Sequence, residues 1–261
     1  RAQQGSVAAN HPEGSFMRIV SIAPVIVTNQ YEGRSSSPLC TTAILNSSYG
    51  KGAINIIPSN WKGQLESIIL GSYANWDDEI VRVDAVSYNL IVLGRGCLDT
   101  IPQEHSAGSL IQFTEDYKAF SDYQYLSGED VDCKLLTRSS TKLLSLDDAP
   151  VITTTMIGRK DLPYPPAKFR MNGDKYPEKI VAGLTLSWAS RNRLLQTSRT
   201  IIDESEASVS PETGTTYNLK IYGETDALLK DVTQSGLTYN FSDEVAISNL
   251  WSVDLTVVEK F

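Results

Sequence analysis

Apolar residues in this chain return at every second position, in short runs, and seldom at the three- and four-residue spacing of a helix face. Alternate residues of a strand point to opposite faces of a sheet, so this period commits the chain to β-structure. Leu184–Ala189 (LTLSWA) puts Leu184, Leu186 and Trp188 on one face, and Thr216–Tyr222 (TYNLKIY) does the same with Tyr217, Leu219 and Ile221. Glu79–Val83 and Asn89–Leu93, linked through Ala85 to Tyr88, have the spacing of a β-hairpin. Further strands are expected in Phe16–Thr28, Gly52–Ile57, Gln64–Leu70 and Leu110–Phe113, and in Val131–Leu136, Leu143–Leu146 and Val151–Ile157. The last three are expected in Ala227–Val232, Leu237–Phe241 and Val253–Val258. Pro24 belongs at an edge or a bulge, because proline cannot donate to a ladder. Tyr31–Pro38 reads as a polar turn. The expected fold class is all-β.

The sharpest punctuation is Leu162-Pro163-Tyr164-Pro165-Pro166. Its prolines stiffen the backbone towards polyproline II and forbid regular pairing, which marks a boundary. The expected division is 1–112 as one or more small β domains, 113–161 as a β-rich connecting domain, 162–166 as a linker, and 167–261 as a final domain. That last stretch, with its series of short strands and an early apolar Trp188, suggests a two-sheet sandwich. Trp188 reads as core.

With 31 acidic against 23 basic residues, the net charge is −8. Nucleic acid is therefore not an expected partner, since phosphate binding needs clustered Lys and Arg. No apolar run reaches the roughly 18 residues of a membrane span. The first twenty residues lack a signal-peptide core, and the start at Arg1 suggests a piece of a longer product. Cys40, Cys97 and Cys133 are an odd number at wide spacing, which favours free thiols over a disulfide framework.

Chemistry-bearing patterns are sparse. The two histidines are His11 and His105. Cys97 precedes His105 with Asp99 and Glu104 nearby, so a Cys/His pair is conceivable, but no nucleophile motif surrounds it; His105 reads as closing a loop. No CxxC, HExxH or EF-hand loop occurs, and the acidic runs Asp77-Asp78-Glu79 and Asp203–Glu206 read as solvated loops. Gly94-Arg95-Gly96 lacks the ending of a phosphate loop. Catalytic residues, cofactor and metal are therefore expected to be none, and the chain is not read as an enzyme.

Two groups of residues carry a resemblance. Glu79–Val83, then Gly94–Thr100, Pro102, His105 and Gly108, is similar to a segment of bacteriophage and prophage tail proteins. Pro163–Pro166, Leu184–Ala189, Arg191 and Arg193, with Gly214–Tyr222, resembles the fibronectin type III-like module that follows in those tail-tip hub, or baseplate, proteins. The resemblance spans roughly residues 60 to 241. It implies small β domains followed by a fibronectin type III-like β-sandwich, in a structural protein of the virion that holds tail subunits and carries fibres or receptor-contacting parts. It also implies assembly in the host cytoplasm, fellow tail-tip and fibre proteins as partners, and a homo-oligomer of three copies. The chain departs from the module in two places. Residues 192–213 form a long gap that reads as an interaction arm, and only one strand is expected after Phe241 where the module has two. A second expectation is a carbohydrate- or receptor-binding module, suggested by Trp61, Tyr73 and Trp76 lying close together.

Overall fold

The computed structural model describes residues 16–22, 28–34, 40–113, 125–138, 141–159, 162–175, 177, 183–196, 201–206, 209–223, 226–241 and 252–259. Among them the secondary structure is strand, except for one single-turn 3-10 helix at Leu65–Ser67. The chain is all-β, and every strand pair in its sheets is antiparallel.

The first sheet joins distant parts of the chain. Strands β1 (Phe16–Ile22) and β2 (Thr28–Arg34) form a hairpin, and β1 pairs with β10 (Asp130–Arg138), which pairs with β11 (Val151–Thr155). The expected cut at 112/113 therefore falls between paired strands: residues 16–34 and 130–155 make one sheet, and what lies between is an insertion. Tyr31–Arg34 is strand where a turn was expected; Pro24 lies outside the described residues.

The insertion is a seven-stranded sheet. Its strands are β3 (Thr41–Leu45), β4 (Asn55–Ile56), β5 (Pro58–Lys62), β6 (Tyr73–Trp76), β7 (Glu79–Val86), β8 (Ile91–Gly94) and β9 (Leu110–Phe113), in spatial order β4-β8-β7-β6-β9-β3-β5. β4 and β5 end the sheet on opposite sides, yet only Ile57 separates them in sequence. Such a short connection forces the sheet to curl into a half-barrel. Its interior holds Ala43, Leu45, Ile56, Ala74, Trp76, Val81, Val83, Ile91, Leu93, Ile111 and Phe113, all nearly or fully buried. The β7–β8 hairpin is the one expected from alternation, with a register shift between Val83 and Ala85. Gln64–Leu70 is not a strand: Ser67 Oγ donates to Gln64 O and closes a tight turn. Leu143–Leu146 is not a strand either.

After Pro166, six strands pair only among themselves. β12 (Ala167–Met171), β13 (Leu184–Ala189) and β16 (Thr238–Phe241) make one sheet; β15 (Leu228–Gln234), β14 (Thr215–Tyr222) and β17 (Ser252–Glu259) make the other. Leu184, Leu186, Trp188, Tyr217, Leu219, Ile221 and Phe241 form the core between them. These are the alternate positions read as one face in each strand, and Trp188 is core, edge-on to Tyr217 at 5.6 Å between centroids.

Candidate functional site

The densest chemistry gathers where the three folded parts meet, at the turn 94–105 that leaves β8. The β6–β7 hairpin begins it. Trp76 pairs with Glu79 across the two-residue turn Asp77-Asp78, and Asp77 takes a left-handed φ of 49°, which Asp tolerates better than most residues. The turn leaves Glu79 facing inward, with no exposed surface.

A buried carboxylate is costly unless its lone pairs are filled. Arg95 donates to both oxygens of Glu79, from Nε at 2.8 Å and Nη2 at 2.7 Å. The backbone N–H of Gly96 donates to Oε1 at 2.8 Å, and that of Gln103 to Oε2 at 2.9 Å. His105 reaches Oε2 with Nε2 at 3.0 Å and Asp77 with Nδ1 at 2.7 Å. An ionised carboxylate only accepts, so the Arg95 fork and the two backbone N–H groups fill the Glu79 lone pairs, with the imidazole alongside. Burial works against the Glu79 charge, but the hydrogen bonds from Arg95 and His105 outweigh it and hold its carboxyl down at about 2. The Arg95 guanidinium also donates to the carbonyls of Ala53 and Gln103, at 2.5 and 2.7 Å. Trp76 completes the cluster: its ring stacks on His105 at 3.7 Å, and Arg95 Cζ lies 4.6 Å from its centroid. Gly96 is required here, because its φ is +59° and a Cβ would sit 2.5 Å from Pro102 Cδ.

The other parts dock on this turn. Arg191, just beyond β13, donates to the carbonyls of Gly96 (3.0 Å), Thr100 (3.4 Å) and Ile202 (3.3 Å). Arg159 makes a two-pronged pair with Asp99, at 2.5 and 2.7 Å. The segment 201–206 lies across β7 and β8 like a strap. Arg82 Nη1 donates to Ile201 O (2.6 Å) and Glu206 (2.7 Å), and the Glu204 N–H donates to Arg95 O (2.9 Å). Asp203 packs against Gly94, where a Cβ would come within 3.0 Å of it.

The expected interaction arm at 192–213 is tied inward at several points, while Leu194 and Leu195 remain exposed. Besides the strap, Asn192 Nδ2 donates to Ser210 O, Ser190 Oγ to Val209 O, and Arg193 to Glu212 through both its backbone N–H and its Nε. The acidic run Asp203–Glu206 is a docking segment rather than a solvated loop.

The Cys/His pair does not form. Both His105 nitrogens are committed to carboxylates, and the buried Cys97 thiol faces Gly94 O, with burial pushing it up to about 12. Cys40, Cys97 and Cys133 are all free, and burial raises the other two thiols as well. In the native protein Cys97 should therefore be the slowest of the three to take a maleimide label. Arg82→Ala, which cuts the strap over it, should speed Cys97 labelling several-fold and leave Cys40 unchanged; equal Cys97 rates in the two proteins would show that Arg82 does not hold the strap. His11 lies outside the described residues. Among the described residues no group of three or more His, Cys, Asp or Glu could hold a metal ion, and no helix is long and apolar enough to cross a membrane.

Of the aromatic trio, Trp76 is sealed inside the half-barrel. Trp61 is half-buried, stacked on Phe113 with centroids 5.8 Å apart, and its Nε1 donates to Tyr88 O at 3.0 Å. Tyr88 itself is 62% exposed, an aromatic 27 positions from Trp61 that no sequence pattern groups with it. The acidic run Asp77-Asp78-Glu79, expected as a solvated loop, instead buries Glu79, and Arg191, met in the sequence only through the resemblance, is buried at the junction. Against known proteins, no family model and no curated protein matches this chain.

Proposed function

We propose that this chain is a non-enzymatic structural component of a bacteriophage tail tip or baseplate, an assembly module that holds neighbouring subunits and carries fibres or receptor-contacting parts. The reading rests on the resemblance of Glu79–Val83, Gly94–Thr100 and Leu184–Ala189 to tail-tip proteins of this kind. What supports it physically is the junction. Arg191, Arg159 and the 201–206 strap fasten the sandwich and the first sheet to one turn of the half-barrel, so a load on one part passes to the others through these polar contacts. A scaffold needs that coupling. On this reading the sandwich is fibronectin type III-like, the protein sits in the virion after assembly in the host cytoplasm, and it works as a homo-oligomer beside other tail-tip and fibre proteins. Mass spectrometry of purified particles should find the chain in stoichiometric amount; its absence from intact virions would overturn the proposal.

A second reading, a carbohydrate- or receptor-binding module, is favoured by Trp61 and Tyr88 alone. Aromatic faces of this kind stack on sugar rings, and the Trp61 indole N–H ties β5 to the backbone of Tyr88 in the β7–β8 turn.

A further inference from the structure

A strand at a sheet edge presents unpaired backbone N–H and C=O groups, and proteins normally blunt such an edge with charge, proline, a bulge or brevity. The edges with described side chains follow this rule, with one exception. β12 carries Lys168 and Arg170 and a register shift; β15 carries Lys230 and Asp231; β5 begins at Pro58 and ends at Lys62. β4 has two residues and β16 four. β11 has none of these devices. Val151–Thr155 pairs with β10 in unbroken register on one side, and all five of its residues are exposed. Val151 and Ile152 keep 51% and 52% of their surface in water. The whole stretch Ala149–Gly158 is uncharged, in a chain of net charge −8.

We propose that the free edge of β11 pairs antiparallel with β11 of a second copy of this chain, about a two-fold axis through Thr153. The register follows from the sequence. Thr153 faces its own symmetry mate, Ile152 faces Thr154, and Val151 faces Thr155. Outside the strand, Pro150 meets Met156 and Ala149 meets Ile157, so no pair carries a charge. β-branched residues opposite one another suit a pleated surface. The Thr153 and Thr155 hydroxyls already donate to Asp132 and Asp130 on their own sheet, at 2.7 and 2.6 Å, which keeps those acids occupied.

Charge selects the occupant. Two copies with net charge −8 repel wherever acidic surfaces face each other, and a ten-residue strip without charge is where they can close. The same strip offers a basic partner nothing to bind. Ile157 (65% exposed) and Leu126 (70% exposed), whose turn hydrogen-bonds to Met156 through Gly128, add apolar surface at one end of the strip. The result is a continuous eight-stranded sheet across the two copies. This contact stands apart from the three-copy assembly that the tail-tip resemblance implies.

Light scattering with size separation, across a concentration series of the whole chain, tests it. The unaltered chain should move from one chain mass to two as concentration rises. Thr153→Lys and Thr153→Glu each place like charges on the axis and should each stay at one chain mass, while their equimolar mixture should recover the double mass. Thr154→Lys, away from Asp132, should also stay single, and circular dichroism should show all variants folded. A single mass for the unaltered chain, an unchanged oligomer in Thr153→Lys, or a mixture that stays single would overturn the proposal. A three-chain mass that Thr153→Lys does not alter would do the same while leaving the tail-tip reading standing. A two-chain mass in a protein absent from virions would remove that reading and keep this contact.

Discussion

Replacing Glu79 by Gln should destabilise the protein by about 3–5 kcal/mol, the usual cost of removing one partner of a buried ion pair. Gln keeps the shape and removes the charge. One end of the amide donates, so it can no longer accept from both the Arg95 fork and the two backbone N–H groups of Gly96 and Gln103. Arg95, only 3% exposed, is then left as an uncompensated buried cation. The midpoint of urea unfolding reports the change, and a midpoint within error of the unaltered protein would refute it. Acid provides a second measurement. The Glu79 carboxyl titrates lower in the folded chain than in the unfolded one, so its contribution is fully present above the ordinary carboxylate value and is lost as pH falls from about 4.5 to about 2. The shift is worth about 3 kcal/mol. Glu79→Gln should lack that part of the acid sensitivity.

Trp76→Ala should cost about as much, 3–5 kcal/mol, but for a different reason. The side chain is fully buried, its Nε1 donates to Ser109 Oγ at 3.0 Å, and its ring is in contact with His105 and Tyr49. Alanine opens a cavity and strips the stack from the imidazole at once. The prediction also separates the two readings of the aromatic residues. Loss of glycan binding in Trp76→Ala would report unfolding, whereas Tyr88→Ala removes an exposed ring and Trp61→Ala one at the margin of the core, stacked on Phe113. If a glycan array gives a signal that survives both of those changes, the aromatic site is wrong. Thermal melting shows which variant has merely come apart.

How much of this could be read from the chain depends on how local the signal is. Leu184, Leu186 and Trp188, like Tyr217, Leu219 and Ile221, were legible because one face of each strand is buried and the other is not, which writes the period into the residues themselves. The β7–β8 hairpin was legible for the same reason. Gln64–Leu70 misled because Ile68, Ile69 and Leu70 make an apolar run that the fold leaves half-buried or exposed, while Thr41 and Ser67 hydroxyls bind Gln64 O and curl the backbone. Tyr31–Arg34 looked like a turn because its residues are polar, yet it pairs with Phe16–Ile19 in the β1–β2 hairpin at the end of the sheet. Glu79 was illegible at its own position. An acid heading an apolar strand reads as its solvent-facing end, and the groups that reverse that reading arrive from residues 95 to 105. The residues that carry the tail-protein resemblance, Gly94–Thr100 with Pro102 and His105, are largely those that enclose this carboxylate, so the same pattern serves the fold directly.

The insertion of the half-barrel between β2 and β10 also bears on the order in which the chain folds. The β1–β10 ladder sets Phe16 beside Arg138. Closing a flexible loop of that length is slow and entropically costly, and contacts of such wide sequence separation are the ones that delay folding. Once the seven-stranded sheet has curled, however, its two ends are held as one body and the span left to close is only the connecting segments. The kinetics follow from that geometry. The expected order is the half-barrel first, with the β1–β2 hairpin unpaired until then and the sheet that ends in β11 completed last, which pulsed hydrogen exchange would report as late protection of β1 and β10.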